Sequence, residues 1–169
     1  MVKALFLDRD GTINKYGSYI FKKEDFIFID GVIEFIKIFN DNGWKVFVVS
    51  NQAGIARGYY TENDVQDLQR WVDKQLNEYG AHIDEWVYCP HHPEYGIGKY
   101  KINCNCRKPK TGMVDYLCDK YNVDRSKSLL VGDQPWDIEC GENAGIKSFM
   151  LYKEDYNDLK KRINIENLF

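Results

Sequence analysis

The sequence predicts an α/β fold, a Rossmann-like parallel sheet flanked by helices, and three observations predict it. Short apolar runs of strand length recur along the 169 residues, with amphipathic helical stretches between them. Several runs stop at polar residues, and the carboxyl ends of strands are where an open α/β sheet collects its chemistry. No internal repeat, low-complexity run or linker interrupts the alternation, so residues 1–169 are expected to form one domain.

Each element has its own justification. Residues 3–8 are apolar enough for a buried parallel strand and run straight into Asp8-Arg9-Asp10-Gly11-Thr12. Residues 13–30 are aromatic and irregular, which suits a small hairpin flap over that strand's tip. Residues 31–42 carry apolar positions at helical spacing, and Gly43 is placed to cap them. Residues 44–49 form a second buried strand that ends in Ser50-Asn51-Gln52. Thr61, with Asp64 three residues on, opens a long amphipathic helix that Gly80 stops near Tyr79. The pattern continues with a strand over 83–89, a helix over 112–122 and a strand over 128–132. A helix over 136–144 and a strand over 147–152 complete it. Right-handed crossovers would cover both faces of such a sheet.

Composition narrows the function classes. With 44% hydrophobic and 29% charged residues, the chain is large and apolar enough to build its own core. A formal net charge of −3 gives no support to a nucleic-acid or membrane-surface partner. No apolar run approaches the ~20 residues that cross a bilayer. Asp8, Arg9 and Asp10 interrupt the first apolar run too early for a signal peptide. The expectation is a cytoplasmic monomer.

Three strand tips then carry the chemistry: Asp8 and Asp10, Ser50-Asn51-Gln52, and Gly132-Asp133. Arg107-Lys108-Pro109 opens the segment before the helix at 112. A parallel sheet brings these tips to one edge. Two acids at one tip repel each other unless a cation sits between them, and a hard oxygen-seeking ion such as Mg2+ suits the position. Three carboxylates, one hydroxyl and two fixed cations suit a phosphoryl group: a carboxylate nucleophile, a metal, and a lysine on the equatorial oxygens.

The cysteines make a second cluster. Three of the five lie between Cys89 and Cys106, and in a reducing compartment such clustering favours metal over disulfides. Cys89-Pro90-His91 and Cys104-Asn105-Cys106 are two pairs spaced i, i+2, which in extended backbone point to one side. Cys89, His91, Cys104 and Cys106 are thus a candidate structural Zn2+ site within a loop over 89–106, with His92 as a competing ligand. Cys118 and Cys140 fall on apolar helical faces and are expected in the core.

The ordered set of Asp-x-Asp-Gly-Thr, a strand-ending Ser, a Lys before a late helix and Gly-Asp-x-x-x-Asp resembles the haloacid dehalogenase superfamily of phosphatases over residues 3 to about 151. The resemblance implies that Asp8 is the nucleophile, forming an aspartyl-phosphate. Asp10 would be the acid that protonates the leaving alkoxide and then activates water. Ser50 and Lys108 match the phosphoryl-holding positions. Asp133 matches the Mg2+ ligand, alongside Asp8 and Asp10, the last through its backbone carbonyl. Asp137 matches a supporting position at a helix start. The cysteine loop and the absence of a large cap domain resemble the small branch that holds histidinol-phosphate and heptose-bisphosphate phosphatases. Cys89-Pro-His-His-Pro93 and Ser50-Asn-Gln-Ala-Gly-Ile-Ala-Arg-Gly58 are closer to the heptose enzymes.

That branch implies a phosphorylated sugar as substrate, with Arg107 on its distal phosphate. Ser18 and Tyr19 in the stretch Tyr16 to Tyr19, and Asn51 and Gln52 after Ser50, would line the pocket. Gln134 stands where those enzymes often carry a basic residue. Histidinol phosphate, a DNA 3′-phosphate and non-catalytic phosphate binding remain the alternatives. The intact Asp8, Asp10 and Asp133 favour an enzyme over the last.

Overall fold

The structure is a computed structural model and describes residues 1–169. Five strands, β1 (Ala4–Leu7), β2 (Lys45–Asn51), β3 (Glu85–Cys89), β4 (Leu129–Gly132) and β5 (Lys147–Met150), form one sheet. Their order is β3-β2-β1-β4-β5, and every neighbouring pair is parallel. The chain winds outward from β1 to β3, then returns to the other side of β1 for β4. The switch point therefore lies between β1 and β4, where an open α/β sheet forms its crevice.

Period-two alternation divides β1 between two cores. Leu5 and Leu7 face α1 (Val32–Asp41) and α3 (Glu62–Glu78), meeting Phe35, Phe39, Leu68 and Val72 in one cluster. Ala4 and Phe6 face α4 (Gly112–Tyr121) and α5 (Pro135–Asn143), with Met113, Leu117, Cys118 and Cys140 in the second. Cys118 and Cys140 are buried core residues, as their helical spacing predicts. The Thr61 side chain accepts from the Asp64 backbone N–H at 3.2 Å, and Asp64 returns the bond to Thr61, so α3 begins at the expected capping box.

Residues 13–30 form the expected small hairpin. Lys15 N–H donates to Ile27 O at 2.8 Å and Ile29 N–H to Ile13 O at 2.9 Å. Two helices escape the sequence pattern. The first, α2 (Ala53–Ala56), is a single turn after β2. The second, α6 (Tyr156–Ile163), follows a charged stretch, yet Tyr156, Leu159 and Ile163 recur at helical spacing and are all buried. Asp155 caps it by accepting from the N–H groups of Asn157 and Asp158, both at 2.9 Å. The third strand starts at Glu85 rather than at 83, because Asp84 turns its carboxylate onto Val46 N–H and Lys45. No helix is long and apolar enough to cross a membrane.

Tyr156 ties α6 to the edge that carries the polar tips. Its hydroxyl donates to Thr12 O at 2.7 Å, and its ring lies 5.0 Å from that of Phe35. Tyr156→Phe keeps the ring but leaves the buried Thr12 carbonyl without that donor. Urea unfolding should show a loss of about 1–2 kcal/mol with the fold intact.

Candidate active site

Lys108 lies buried under the tips of three strands. Its ammonium donates to Asp8 Oδ1 at 2.8 Å and to Val49 O at 2.7 Å, and sits 2.7 Å from Asp137 Oδ1. The backbone of Lys108 is clamped by Asn51, whose Oδ1 accepts Lys108 N–H at 2.9 Å. Asn51 Nδ2 in turn donates to Lys108 O at 3.1 Å. Burial alone would lower the lysine's proton affinity, but Asp8 and Asp137 outweigh it and hold it above the usual range. Lys108 is therefore charged.

One ammonium faces three acids. Oxygens of Asp8, Asp133 and Asp137 lie within 4.8 Å of one another. Burial lifts Asp8 well above the usual carboxylate range; Lys108 opposes the lift, and Asp137 and Asp133 add to it. Asp133 is also raised by burial, and its Oδ1 has no hydrogen-bond partner. An unpartnered buried oxygen beside excess negative charge fits a hard divalent cation. Gly11 makes the approach possible: a Cβ there would fall 2.1 Å from Asp133 Oδ2, at a φ of +81°.

Asp10, two residues from Asp8, has different company. Its Oδ1 accepts from Arg9 at 2.9 Å and from Asn14 Nδ2 at 3.0 Å, and its Oδ2 accepts from Gln52 Nε2 at 3.1 Å. Ser50, 3% exposed, accepts a second bond from Gln52 Nε2 at 2.6 Å. Tyr60 donates to Gln52 Oε1 at 2.6 Å, and burial pushes its phenol up to about 12, so it stays a donor.

Above these groups opens a cavity of about 530 Å³. Asp8 and Asp10 line it together with Ser18, Tyr19, Asn51, Gln52 and Arg107, so seven of the predicted site residues share one pocket. Ser50 and Lys108 lie buried beside it and Asp133 is half-buried. The sequence pattern did not assign Trp136, His92 or Arg57 to this pocket; all three line it. Extended backbone supplies the missing signal for His92: residues 89 and 91 share a side, so 92 points to the other. Asp137, the supporting residue, is fully buried, accepts Gln134 N–H at 3.1 Å and pairs with Lys108.

The cysteine cluster adjoins the pocket. Cys89 Sγ lies 3.4 Å from Cys104 Sγ and 2.9 Å from Cys106 Sγ, and His91 Nδ1 lies 3.4 Å from Cys106 Sγ. Hydrogen bonding from Cys89 leads the causes that bring Cys106 down to about 5, while the same contact pushes Cys89 up. Three sulfurs and one imidazole nitrogen within 4.8 Å of one another fit Zn2+. Arg107 N–H donates to Cys104 Sγ at 3.4 Å, which ties the cluster to the pocket.

A sequence model described as Polynucleotide kinase 3 phosphatase matches residues 3–165. A D-glycero-beta-D-manno-heptose-1,7-bisphosphate 7-phosphatase from Haemophilus ducreyi is 45% identical over 89% of this chain and 83% of its own. A D-glycero-alpha-D-manno-heptose-1,7-bisphosphate 7-phosphatase from Burkholderia mallei is 44% identical, over 88% of this chain and 79% of its own. The chain belongs to this family of haloacid-dehalogenase-like phosphatases. Solved structures agree. A HAD-like phosphatase from Mesorhizobium loti superposes with a TM-score of 0.90 at 31% identity, covering 99% of this chain and 87% of its own. A D,D-heptose 1,7-bisphosphate phosphatase from B. bronchiseptica, complexed with magnesium and phosphate, gives 0.79 at 28%, covering 88% and 80%. The family fold is thus the parallel sheet seen here, and family members are phosphatases.

Asp137 offers a direct test of the buried charge arrangement. Asp137→Ala should lower stability by about 3 kcal/mol in urea unfolding, because Lys108 then keeps a single acid. Asp67→Ala, which removes an exposed pair with Arg70, should cost less than about 1 kcal/mol.

Proposed function

We propose that this chain hydrolyses the 7-phosphate of D-glycero-D-manno-heptose 1,7-bisphosphate through an aspartyl-phosphate on Asp8. The observation that carries the reading is the content of one pocket. Asp8 and Asp10 share it with two guanidinium groups, Arg57 and Arg107, neither of which pairs with an acid. Arg57 Nε and Arg107 NH1 are buried without a partner. A substrate with phosphates at both ends fits a pocket with acids and a buried ammonium at one place and unpaired guanidinium groups at another.

The chemistry follows from the side chains. The Asp8 carboxylate attacks phosphorus, and the bond to the leaving oxygen breaks while Asp10 gives that oxygen a proton. Asp10, now a carboxylate, takes a proton from the water that attacks the aspartyl-phosphate; phosphate leaves and Asp8 is restored. Lys108 and the Ser50 hydroxyl stabilise the phosphoryl oxygens. Asp8, Asp133 and the Asp10 backbone carbonyl would hold Mg2+, which supplies charge neutralisation so that a dianion can approach the acids. Arg57 lies 4.2 Å over the Tyr95 ring, and with Arg107 and His92 it would receive the distal phosphate. Gln134 donates to Asp133 Oδ2 at 3.0 Å and adds no positive charge. The description of the matching sequence model names the nucleic-acid alternative, but the relatives at 39–45% identity and the net charge of −3 favour the sugar.

A panel of phosphate esters tests the substrate, with Asp8→Asn, whose amide cannot attack phosphorus, as the inactive reference. Arg107→Ala should cut turnover of the bisphosphate by about tenfold or more while a simple monophosphate loses far less. Equal losses on both, or a wild-type preference for histidinol phosphate, would reject the substrate and leave the phosphatase reading.

The same proposal gives Cys89, His91, Cys104 and Cys106 a structural Zn2+, with four protein ligands and no open position. A cytoplasmic setting keeps such thiols reduced. Elemental analysis should find one zinc per chain. Cys104→Ser should lower that content and raise KM for the bisphosphate, because Arg107 loses the sulfur that its amide rests on.

A further inference from the structure

Tyr60 stands at the end of a buried hydrogen-bond chain that reaches Asp10 through Gln52. Tyr60 and Gln52 are 6% and 2% exposed. The Gln52 amide is engaged at both ends: its oxygen accepts from the Tyr60 hydroxyl, and its nitrogen donates to Asp10 Oδ2 and Ser50 Oγ. The reversed amide would set its oxygen against the Asp10 carboxylate, oxygen facing oxygen. Asp10 therefore fixes the orientation, and Tyr60 anchors the other end by donating to the oxygen that this leaves facing it.

The ring of Tyr60 is held as firmly as its hydroxyl. It stacks on Phe21 of the hairpin, with centroids 5.1 Å apart and planes at 16°. Its other neighbour is Gly54 of α2, where a Cβ would fall 2.1 Å from a ring carbon, so only glycine leaves room. A side chain fixed on the ring and committed at the hydroxyl can transmit position.

We propose that Tyr60 is a positioning residue for the general acid: through Gln52 it fixes the direction in which Asp10 presents its carboxyl to the leaving oxygen. The proposal rests on the reading of Asp10 as the acid. It also changes the part of Gln52, whose amide has no free donor left for substrate and serves the catalytic group instead.

Tyr60→Phe keeps the ring and its stack and removes only the hydroxyl. Two esters are compared under single turnover: an alkyl phosphate, whose alkoxide needs a proton to leave, and p-nitrophenyl phosphate, whose phenolate leaves with little help. The alkyl ester should slow about five- to tenfold with KM unchanged, and the aryl ester less than about twofold. A loss of packing alone would slow both alike. Gln52→Leu supplies the second arm: in that background, removing the Tyr60 hydroxyl should have no further effect. Equal slowing of the two esters, additive losses in the double variant, or an unchanged alkyl-ester rate would overturn the proposal. Asp10→Asn separates the two levels. If that variant keeps full alkyl-ester activity, the reading of Asp10 as acid fails, whereas a dead Asp10→Asn beside a silent Tyr60→Phe rejects Tyr60 alone.

Discussion

Lys108 is held by Asp8 at the end of β1, the Val49 carbonyl in β2 and Asp137 in the first turn of α5, and its side chain is 1% exposed. A buried ammonium is tolerable only when its charge and its donors are met, so each of these contacts constrains the element that supplies it. The three elements surround the switch point of the sheet. Fixing them around one nitrogen sets the distance between the β1 and β4 tips, and with it the separation of Asp8 from Asp133. The polar edge of the fold is built around this lysine.

The lysine does not balance what surrounds it. Two acids contact it and a third lies close, which leaves net negative charge at the edge of the pocket. Removing Asp8 or Asp137 would leave Lys108 with a single acid, and adding another fixed cation would fill the space a phosphate needs. A site that must admit a dianion is better served by an exchangeable divalent ion than by a permanent residue. The next residue back has the opposite circumstances. Arg107 lines the pocket and meets no acid, while the cysteine cluster holds its amide. Three consecutive residues, Cys106, Arg107 and Lys108, thus serve the thiol cluster, the open pocket and the buried charge centre.

The strands and the tips were legible in the sequence because buried parallel strands are continuous apolar runs and their ends are abruptly polar. Helix starts were legible where a side chain does the capping, as at Thr61 and Asp64. The helix at Tyr156 was not, because its three apolar contacts are diluted among nine charged or amide residues between 153 and 164. The convergence of Asp8, Asp10, Arg107 and Gln52 on one pocket followed from topology alone. Its cationic side did not: Arg57 arrives on the single turn α2 and His92 by the alternation of an extended segment, neither of which carries a motif. Tyr60 was hidden for a further reason. Tyrosines are common packing residues, and only the bond to Gln52 Oε1 separates this one from the other eleven.

Asp8 and Asp10 are two residues apart and would face the same side if the strand continued. It stops at Leu7, and the Arg9 carbonyl accepts from the N–H groups of Thr12, Ile13 and Asn14, which curls the chain into a tight turn. Arg9 itself, 2% exposed, folds its guanidinium back onto Asp10, and Asn14 on the far side of the turn meets the same oxygen. One carboxylate thereby stays among charges and the other enters a web of amide and guanidinium donors. The proposed reaction needs that separation: Asp8 is turned to the lysine and to the place a metal would take, and Asp10 is held apart by Arg9, Asn14 and Gln52 where it can face the leaving oxygen. Identical side chains acquire distinct chemistry from the turn between them. That is why Arg9 and Asn14, which do not line the pocket, are as much a part of the site as the acids they separate.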